Sequence, residues 1–426
     1  MEAYAQVLLY AIPGFMGLIL IEALYGWIKG EVNFRSMDII ASLSSGLTNT
    51  IKRILGLTIV IVSYGWVEER VALMEIEATW LVYVLAFLAL DFAGYWNHRL
   101  NHSINYFWNV HIVHHSSEEF NLACALRQTI SNFFGLGFIF LFPAALLGIP
   151  EEVIAVVGPL HFFLQFWYHT TYIPKLGILE YVIITPSQHR VHHAINDIYL
   201  DKNLGEIFPW WDRMFGTFQE ELEDVPPVYG VKRAVRTWNP IRINFQHLWL
   251  LMQDAWRTKN IKDKFLIWFM PTGWRPEDVK DKYPIEVIQD PYTYEKYDTP
   301  ASLPLRIWSW FQFGLTLFLM LDFLLHFAEI GFPTLFYYGG FFLLLVYSYT
   351  SLMDLDQNAW WIDLIKSAYG LGIIYFMDGW FVMDSWIPGG SMAMMAYLIL
   401  SPVIVAGFTF GEVKSYQKLA TEVVHS

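Results

Sequence analysis

Apolar runs of about twenty residues recur along this chain, the length a helix needs to cross a bilayer. Val7–Ile28 is the first, with Glu22 as its one charge. It lacks a basic start and a small-residue cleavage site, so it reads as a retained helix rather than a signal peptide. Ile54–Trp66 is shorter, with Lys52 and Arg53 at one end, and Trp80–Asn97 is strongly apolar but interrupted by Asp91. Phe133–Ile149 and Val153–Tyr168, separated by Pro150-Glu151-Glu152, predict a hairpin of two helices. Ile307–Phe327, Gly331–Tyr349, Ala368–Trp386 and Met392–Phe410 close the chain. The pattern predicts an all-α, polytopic integral membrane bundle. Its expected parts are N-terminal membrane helices over 1–78, a histidine-rich core over 79–220, a polar region over 221–303 and C-terminal membrane helices over 304–426.

Composition agrees. Of 426 residues, 55% are hydrophobic, 18% are aromatic and only 16% are charged, against roughly 25% charged in a typical soluble protein. A net charge of −13 argues against nucleic acid as a partner. The single cysteine, Cys124, excludes an internal disulfide and a cysteine-based zinc or iron–sulfur site within one chain. Fifteen of the 27 Lys and Arg residues fall between Ser187 and Leu303, and the bases at the ends of the apolar runs alternate consistently with that region. The positive-inside rule then places the polar region, and the histidines beside it, on the cytoplasmic side.

The histidines change the picture most. Ten of 13 lie between His98 and His193, and eight of these form three tight groups: His98/His102, His111/His114/His115 and His189/His192/His193. On a helix, residues i and i+4 share a face about 6 Å apart along the axis, so each group can converge on one point. In His-x-x-His-His the first member shares a face with both others, and one such group could serve two neighbouring metals. Eight nitrogens suffice for two ions with positions left for oxygen. Thr185-Pro186-Ser187-Gln188 reads as a capping box that starts a helix at the third group. Imidazole suits Fe, Zn, Cu and Ni alike, so the residues alone leave the metal open.

These groups carry a resemblance. The string from Asp91 to His102, then His111-Ile-Val-His-His-Ser-Ser-Glu-Glu119, then Gln188-His-Arg-Val-His-His193 resembles the three boxes of the membrane fatty acid hydroxylase and sterol desaturase superfamily. Phe120–Gln128, Gln165–Thr170, Asp201–Gly205 and Trp211–Phe218 are similar to its alkylglycerol monooxygenase branch. The resemblance implies two iron ions held almost entirely by histidine, with O2 and a membrane lipid as substrates. It implies an electron donor, a reduced pterin such as tetrahydrobiopterin or a redox protein. No pterin-binding signature is visible in the chain. His169 falls within one of the similar strings and is a candidate ninth ligand or supporting donor.

Asp91 lies seven residues before His98 on nearly the same face, where a carboxylate could orient a ligand imidazole. Pairing with another helix is the alternative. Asn203 follows the third box with Asn196, Asp201 and Asp212, as a supporting residue or as part of a purely structural turn. Glu118 and Glu119 could orient the second box or form a solvated pair. His161 reads as core or cavity lining, and His247, His326 and His425 as ordinary polar residues. The leading expectation is a lipid monooxygenase. A desaturase or sterol or fatty acid hydroxylase would use the same site. A divalent metal transporter is a further alternative, though transport sites usually lie near the bilayer midplane between broken helices.

Overall fold

The computed structural model describes residues 2–58, 63–133 and 139–418, and no strand is present among them. Helix α1 (Glu2–Lys29) leads into α2 (Ser36–Ile54) and the short α3 (Tyr64–Val71). Next, α4 (Trp80–Ser103) and α5 (Asn105–His115) are joined at Ile104, whose extended backbone turns the chain. Then come α6 (Phe142–Leu147), α7 (Glu151–Phe163) and α8 (Pro186–His192). The polar region holds α9 (Trp210–Phe215), α10 (Pro240–Arg257), α11 (Ile261–Leu266) and α12 (Glu277–Lys280). The chain closes with α13 (Leu303–Leu325), α14 (Phe327–Ile330), α15 (Thr334–Met353), α16 (Ala359–Met377) and α17 (Gly390–Phe408). Among the described residues, five stretches are long and apolar enough to cross a membrane: Tyr4–Lys29, α4, α13, α15 and Gly390–Lys418.

Four expected spans come out differently. Ile54–Trp66 is not one helix: α2 ends at Ile54, Gly56 follows in the left-handed region, and α3 begins at Tyr64, with 59–62 outside the described residues. In Phe133–Ile149, residues 134–138 likewise lie outside the described residues, and the remainder forms only α6, closed by a left-handed Gly148. Val153–Tyr168 becomes α7, 13 residues long, or about 20 Å of helix, short of the roughly 30 Å of a hydrocarbon core. The span expected at Ala368–Trp386 instead occupies Ala359–Met377. Its first half carries Asp363 and Lys366, which pair at 2.8 Å in full burial, so the charges do not end the helix.

Helix α2 has too many Ser, Thr and Asn residues to stand out by hydropathy, yet 14 of its 19 residues are buried. One side packs on α13 and α15, and the other meets the segment after α5. A single apolar cluster runs from Ala5 on α1 through α2, α13 and α15 to Val413, so the amino- and carboxyl-terminal helices share one core. The contact with the segment after α5 is polar. Arg127 donates to Asp38 Oδ1 at 2.6 Å, to Ser42 Oγ at 2.9 Å and to Ser116 Oγ at 2.8 Å. Ser117 Oγ donates to the other Asp38 oxygen at 2.9 Å. Arg127 and Asp38 are both buried, so the pair fastens the end of the second histidine box to the membrane core. Asp38→Ala leaves a buried guanidinium unpaired and is expected to cost about 3–5 kcal/mol. Ser42→Ala removes two hydrogen bonds, one accepted from Arg127 and a longer one donated to Asp38, and costs about 1–2 kcal/mol. Unfolding of the detergent-solubilised variants checks both values.

Candidate metal centre

Three local structures aim the histidines. The last turns of α4 carry His98 and His102, and α5 carries His111, His114 and His115. Helix α8 starts where the capping box predicts, with Thr185 N–H donating to Gln188 Oε1 at 3.3 Å, and its end carries His189, His192 and His193. His169 comes from the irregular stretch after α7.

The nine imidazoles sort into two adjoining groups, within each of which the ligand atoms lie no more than 4.8 Å apart. His98, His102, His111, His115 and His192 form one; His114, His169, His189 and His193 form the other. The second and third boxes each serve both groups. In the first group, His111 Nε2 is 2.8 Å from His98 Nε2 and 3.0 Å from His115 Nε2. The Nε2 atoms of His102 and His192 are buried with no protein partner. In the second group, His189 Nε2 is 2.9 Å from His169 and 3.0 Å from His193. His114 Nε2 lies 3.1 Å from His193 and 3.4 Å from His169. The rings of His115 and His193 stack at 4.3 Å and join the groups.

Outward-facing nitrogens explain which atoms point in. His98 Nδ1 donates to Leu204 O, His192 Nδ1 to Lys202 O and His169 Nδ1 to Gln165 O, at 2.9, 2.9 and 3.0 Å. A carbonyl only accepts, so the proton sits on Nδ1 and the Nε2 lone pair faces inward. His102 Nδ1 donates to Asp201 Oδ1 at 3.0 Å. Burial pushes His111, His115, His169, His189, His192 and His193 well below the usual histidine range, with neighbouring imidazoles adding to the shift. Burial also pushes His114 down to about 4. At neutral pH these rings are uncharged, the form that binds metal.

Asp91 does not orient any of the nine. Its Oδ1 accepts from His161 Nε2 at 2.9 Å and from Ile207 N–H at 2.8 Å, while Oδ2 accepts from Trp211 Nε1 at 2.8 Å. Burial on the side of α4 that faces α7 and residues 207–211 gives it those partners. Asp201 instead holds a box histidine, and nothing in its sequence position marked it above its neighbours. Asn203 touches no imidazole. It donates to Gln188 O and Gln219 O and accepts from Gln219 N–H, which ties the 203–205 loop to α8. Asp212 accepts from Leu204 N–H at 2.7 Å and Gly205 N–H at 2.8 Å, and so fixes the loop that supplies the carbonyl for His98. Glu118 and Glu119 are neither solvated nor on the histidines: they bind Arg35, Tyr294, the Tyr297 backbone and Lys296. His161 lines a cavity, as expected. His247 Nε2 bonds Asn105 O, and His326 pairs with Asp322; His425 lies outside the described residues.

That cavity, about 480 Å³, opens on both histidine groups through His98, His111, His114, His169 and His189. Phe15, Leu90, Val110, Phe162 and Phe166 are among its apolar walls. Helices long and apolar enough to cross a membrane, imidazole groups able to hold metal and an apolar chamber over them fit a membrane-bound metalloenzyme that works on lipid. The fatty acid hydroxylase family matches residues 83–217. The chain is 35% identical over 310 residues to the alkylglycerol monooxygenase of Homo sapiens, covering 72% of this chain and 68% of that protein. It is 31% identical over 396 residues to that of Danio rerio, covering 92% and 87%. It is also 32% identical over 138 residues to an ornithine lipid hydroxylase of Rhizobium tropici, covering 32% and 41%. No solved structure matches. The chain belongs to the fatty acid hydroxylase family, as a relative of the alkylglycerol monooxygenases, and is an oxidoreductase that hydroxylates lipid.

Losing an outer partner of a ligand imidazole typically costs 10–100-fold in metal affinity. Asp201 is 67% exposed, which weakens its hold. Asp201→Ala is therefore expected to lower affinity by about 10-fold, the low end of that range. Chelator competition followed by metal analysis checks it.

Proposed function

We propose that this chain is a di-iron monooxygenase, with the nine histidines His98, His102, His111, His114, His115, His169, His189, His192 and His193 as ligands. Its substrate is an ether lipid of the alkylglycerol type, hydroxylated at the carbon beside the ether oxygen. The observation that carries this reading is the convergence of those nitrogens in two adjoining groups beneath one apolar cavity.

The donor set fits iron. With metal–nitrogen bonds of about 2.1 Å, ligands at right angles stand about 3.0 Å apart and tetrahedral ones about 3.4 Å. Five separations, of 2.8, 3.0, 2.9, 3.0 and 3.1 Å, lie near the first value, and the sixth, His114 to His169 at 3.4 Å, matches the second. A group of five imidazoles also exceeds the four ligands of structural zinc.

Iron bound there supplies the reductive activation of O2, which no side chain provides. The balance is R–H + O2 + 2 electrons + 2 protons → R–OH + H2O. Hydroxylation beside an ether oxygen leaves a carbon bonded to two oxygens. Transfer of the hydroxyl proton to the ether oxygen then breaks the C–O bond, giving an aldehyde and a free glycerol. The chain's own residues keep the imidazoles neutral and aimed, hold the lipid's alkyl part against Phe15, Leu90 and Phe162, and exclude water. Electrons come from an external donor, and a second cavity beside the first histidine group is the place proposed for a reduced pterin. About 370 Å³ in volume, it reaches His102, His115 and His192 and is walled by Trp108, Trp274 and Arg233. Arg233 makes no hydrogen bond or ion pair among the described residues, so its guanidinium is free to meet an acceptor edge.

Purified protein is expected to hold two irons and to transfer one atom of 18O2 into the lipid product when a reductant is supplied. His193→Ala should abolish both the product and metal binding in its group. A product lacking two hydrogens would identify a desaturase, and metal uptake into proteoliposomes a transporter. The likeness to an ornithine lipid hydroxylase favours simple hydroxylation if the ether-lipid product is absent.

The polar region packs against the histidine end of α4, with Thr272 N–H donating to Ser103 O. Its bases support a cytoplasmic site. Cys124, the chain's one cysteine, is buried, so Glu277→Cys offers a single accessible thiol. A membrane-impermeant maleimide is expected to label it only after the cells are opened.

A further inference from the structure

The cavity contains a carboxyl that metal binding leaves unused. Among its described lining residues only Glu206 is a carboxylate. Oε2 of Glu206 accepts from Gln165 Nε2 at 3.1 Å and lies 3.6 Å from His161 Nδ1. Gln165 Nε2 also reaches His161 Nδ1 at 3.2 Å, and His161 Nε2 donates to Asp91. Asp91, His161, Gln165 and Glu206 thus form a polar chain running from the buried face of α4 into the chamber. The other oxygen, Oε1, has no hydrogen-bond partner among the described residues, and the side chain is 21% exposed toward the cavity.

The backbone makes room for this carboxyl. A Cβ at residue 94 would lie 2.2 Å from Oε2 and 2.9 Å from Oε1, so any side chain at Gly94 would evict it. Gly94 stands four residues before His98, one helical turn or about 6 Å along α4. The carboxyl is therefore next to the histidines but outside both groups.

We infer that Glu206 is a substrate-positioning residue whose free oxygen accepts a hydrogen bond from a hydroxyl of the lipid head, one turn of helix from the metal site. This rests on the monooxygenase reading above and adds the feature that chooses the lipid. A carboxyl with one open oxygen in an apolar chamber gains most from a donor. An alkyl chain offers none, and a free fatty acid or phosphate presents like charge. A cationic head is less suited than a neutral hydroxyl, because His161 already flanks the carboxyl. The other cations on the cavity wall do not reverse the choice. Arg127 is bound to Asp38, and Arg53 is exposed, with its guanidinium over the Phe162 ring.

The test measures binding to the full chain in detergent, without O2 or reductant, so it does not depend on turnover. The probes are 1-O-hexadecylglycerol, its di-O-methyl ether and hexadecylamine. The native chain is expected to bind the diol at least ten-fold more tightly than the methyl ether and more tightly than the amine. Glu206→Ala should bring diol and methyl ether to within about two-fold of each other, and Glu206→Gln, which keeps an acceptor oxygen, should restore part of the preference. Metal content should stay unchanged in both variants, which separates loss of the anchor from loss of the fold. The inference is overturned if the native chain shows no preference for the diol, if it prefers the amine, or if Glu206→Ala keeps the full preference. A preserved binding preference with no oxygenated product would overturn the monooxygenase reading and leave the anchor standing.

Discussion

Everything around the centre follows from a repulsion. Lone pairs on imidazole nitrogens about 3 Å apart oppose one another unless a proton or a cation stands between them. Here carbonyls and a carboxylate claim the protons of several rings on their far nitrogens. A proton on the neighbouring ring or a bound cation then balances the inward face. Burial sharpens the demand, because charged imidazoles are disfavoured there. The chain must hold these rings together mechanically before any metal arrives, and its polar contacts are spent on doing so.

Residues 201–212 do most of that holding. The loop gives Leu204 O, Lys202 O and Asp201 to three box histidines, and it is fixed from beneath by Asp91, Asp212 and Asn203. Asp91 therefore supports the site at one remove, through backbone amides. The second box is secured separately, through Arg127 and Asp38 on one side and Glu118 with Tyr294 and Tyr297 on the other. Two independent braces let α4, α5 and α8 meet without a direct covalent or cofactor link.

The eight box histidines were legible because helical spacing alone puts each set on one face. The capping box before His189 was legible for the same reason, since it is a local arrangement of four residues. What sequence could not show is tertiary. Asp91 was placed on the face of His98 by periodicity, yet the choice of partner belonged to His161, seventy residues away. Helix α2 hid because its buried face is polar and satisfied by a distant segment. Lys366 looked like the edge of a span because its neutralising partner, Asp363, counted as a second charge rather than as its match. Glu206 carried no signal, since only the missing side chain at Gly94 gives it a place.

The position of the first box along α4 has a consequence for how substrate arrives. Trp80 is exposed at the start of that helix and His98 follows 18 residues later, a rise of about 27 Å. That is close to the roughly 30 Å of a bilayer's hydrocarbon, and exposed tryptophan favours the boundary with water. With Trp80 at one boundary, the centre stands near the other, at the level of lipid head groups. A lipid can then present its head and first carbons by a lateral step while its tail stays among its neighbours. Each methylene left in the membrane spares about 0.8 kcal/mol of exposure to water, so this geometry removes extraction from the list of barriers to catalysis.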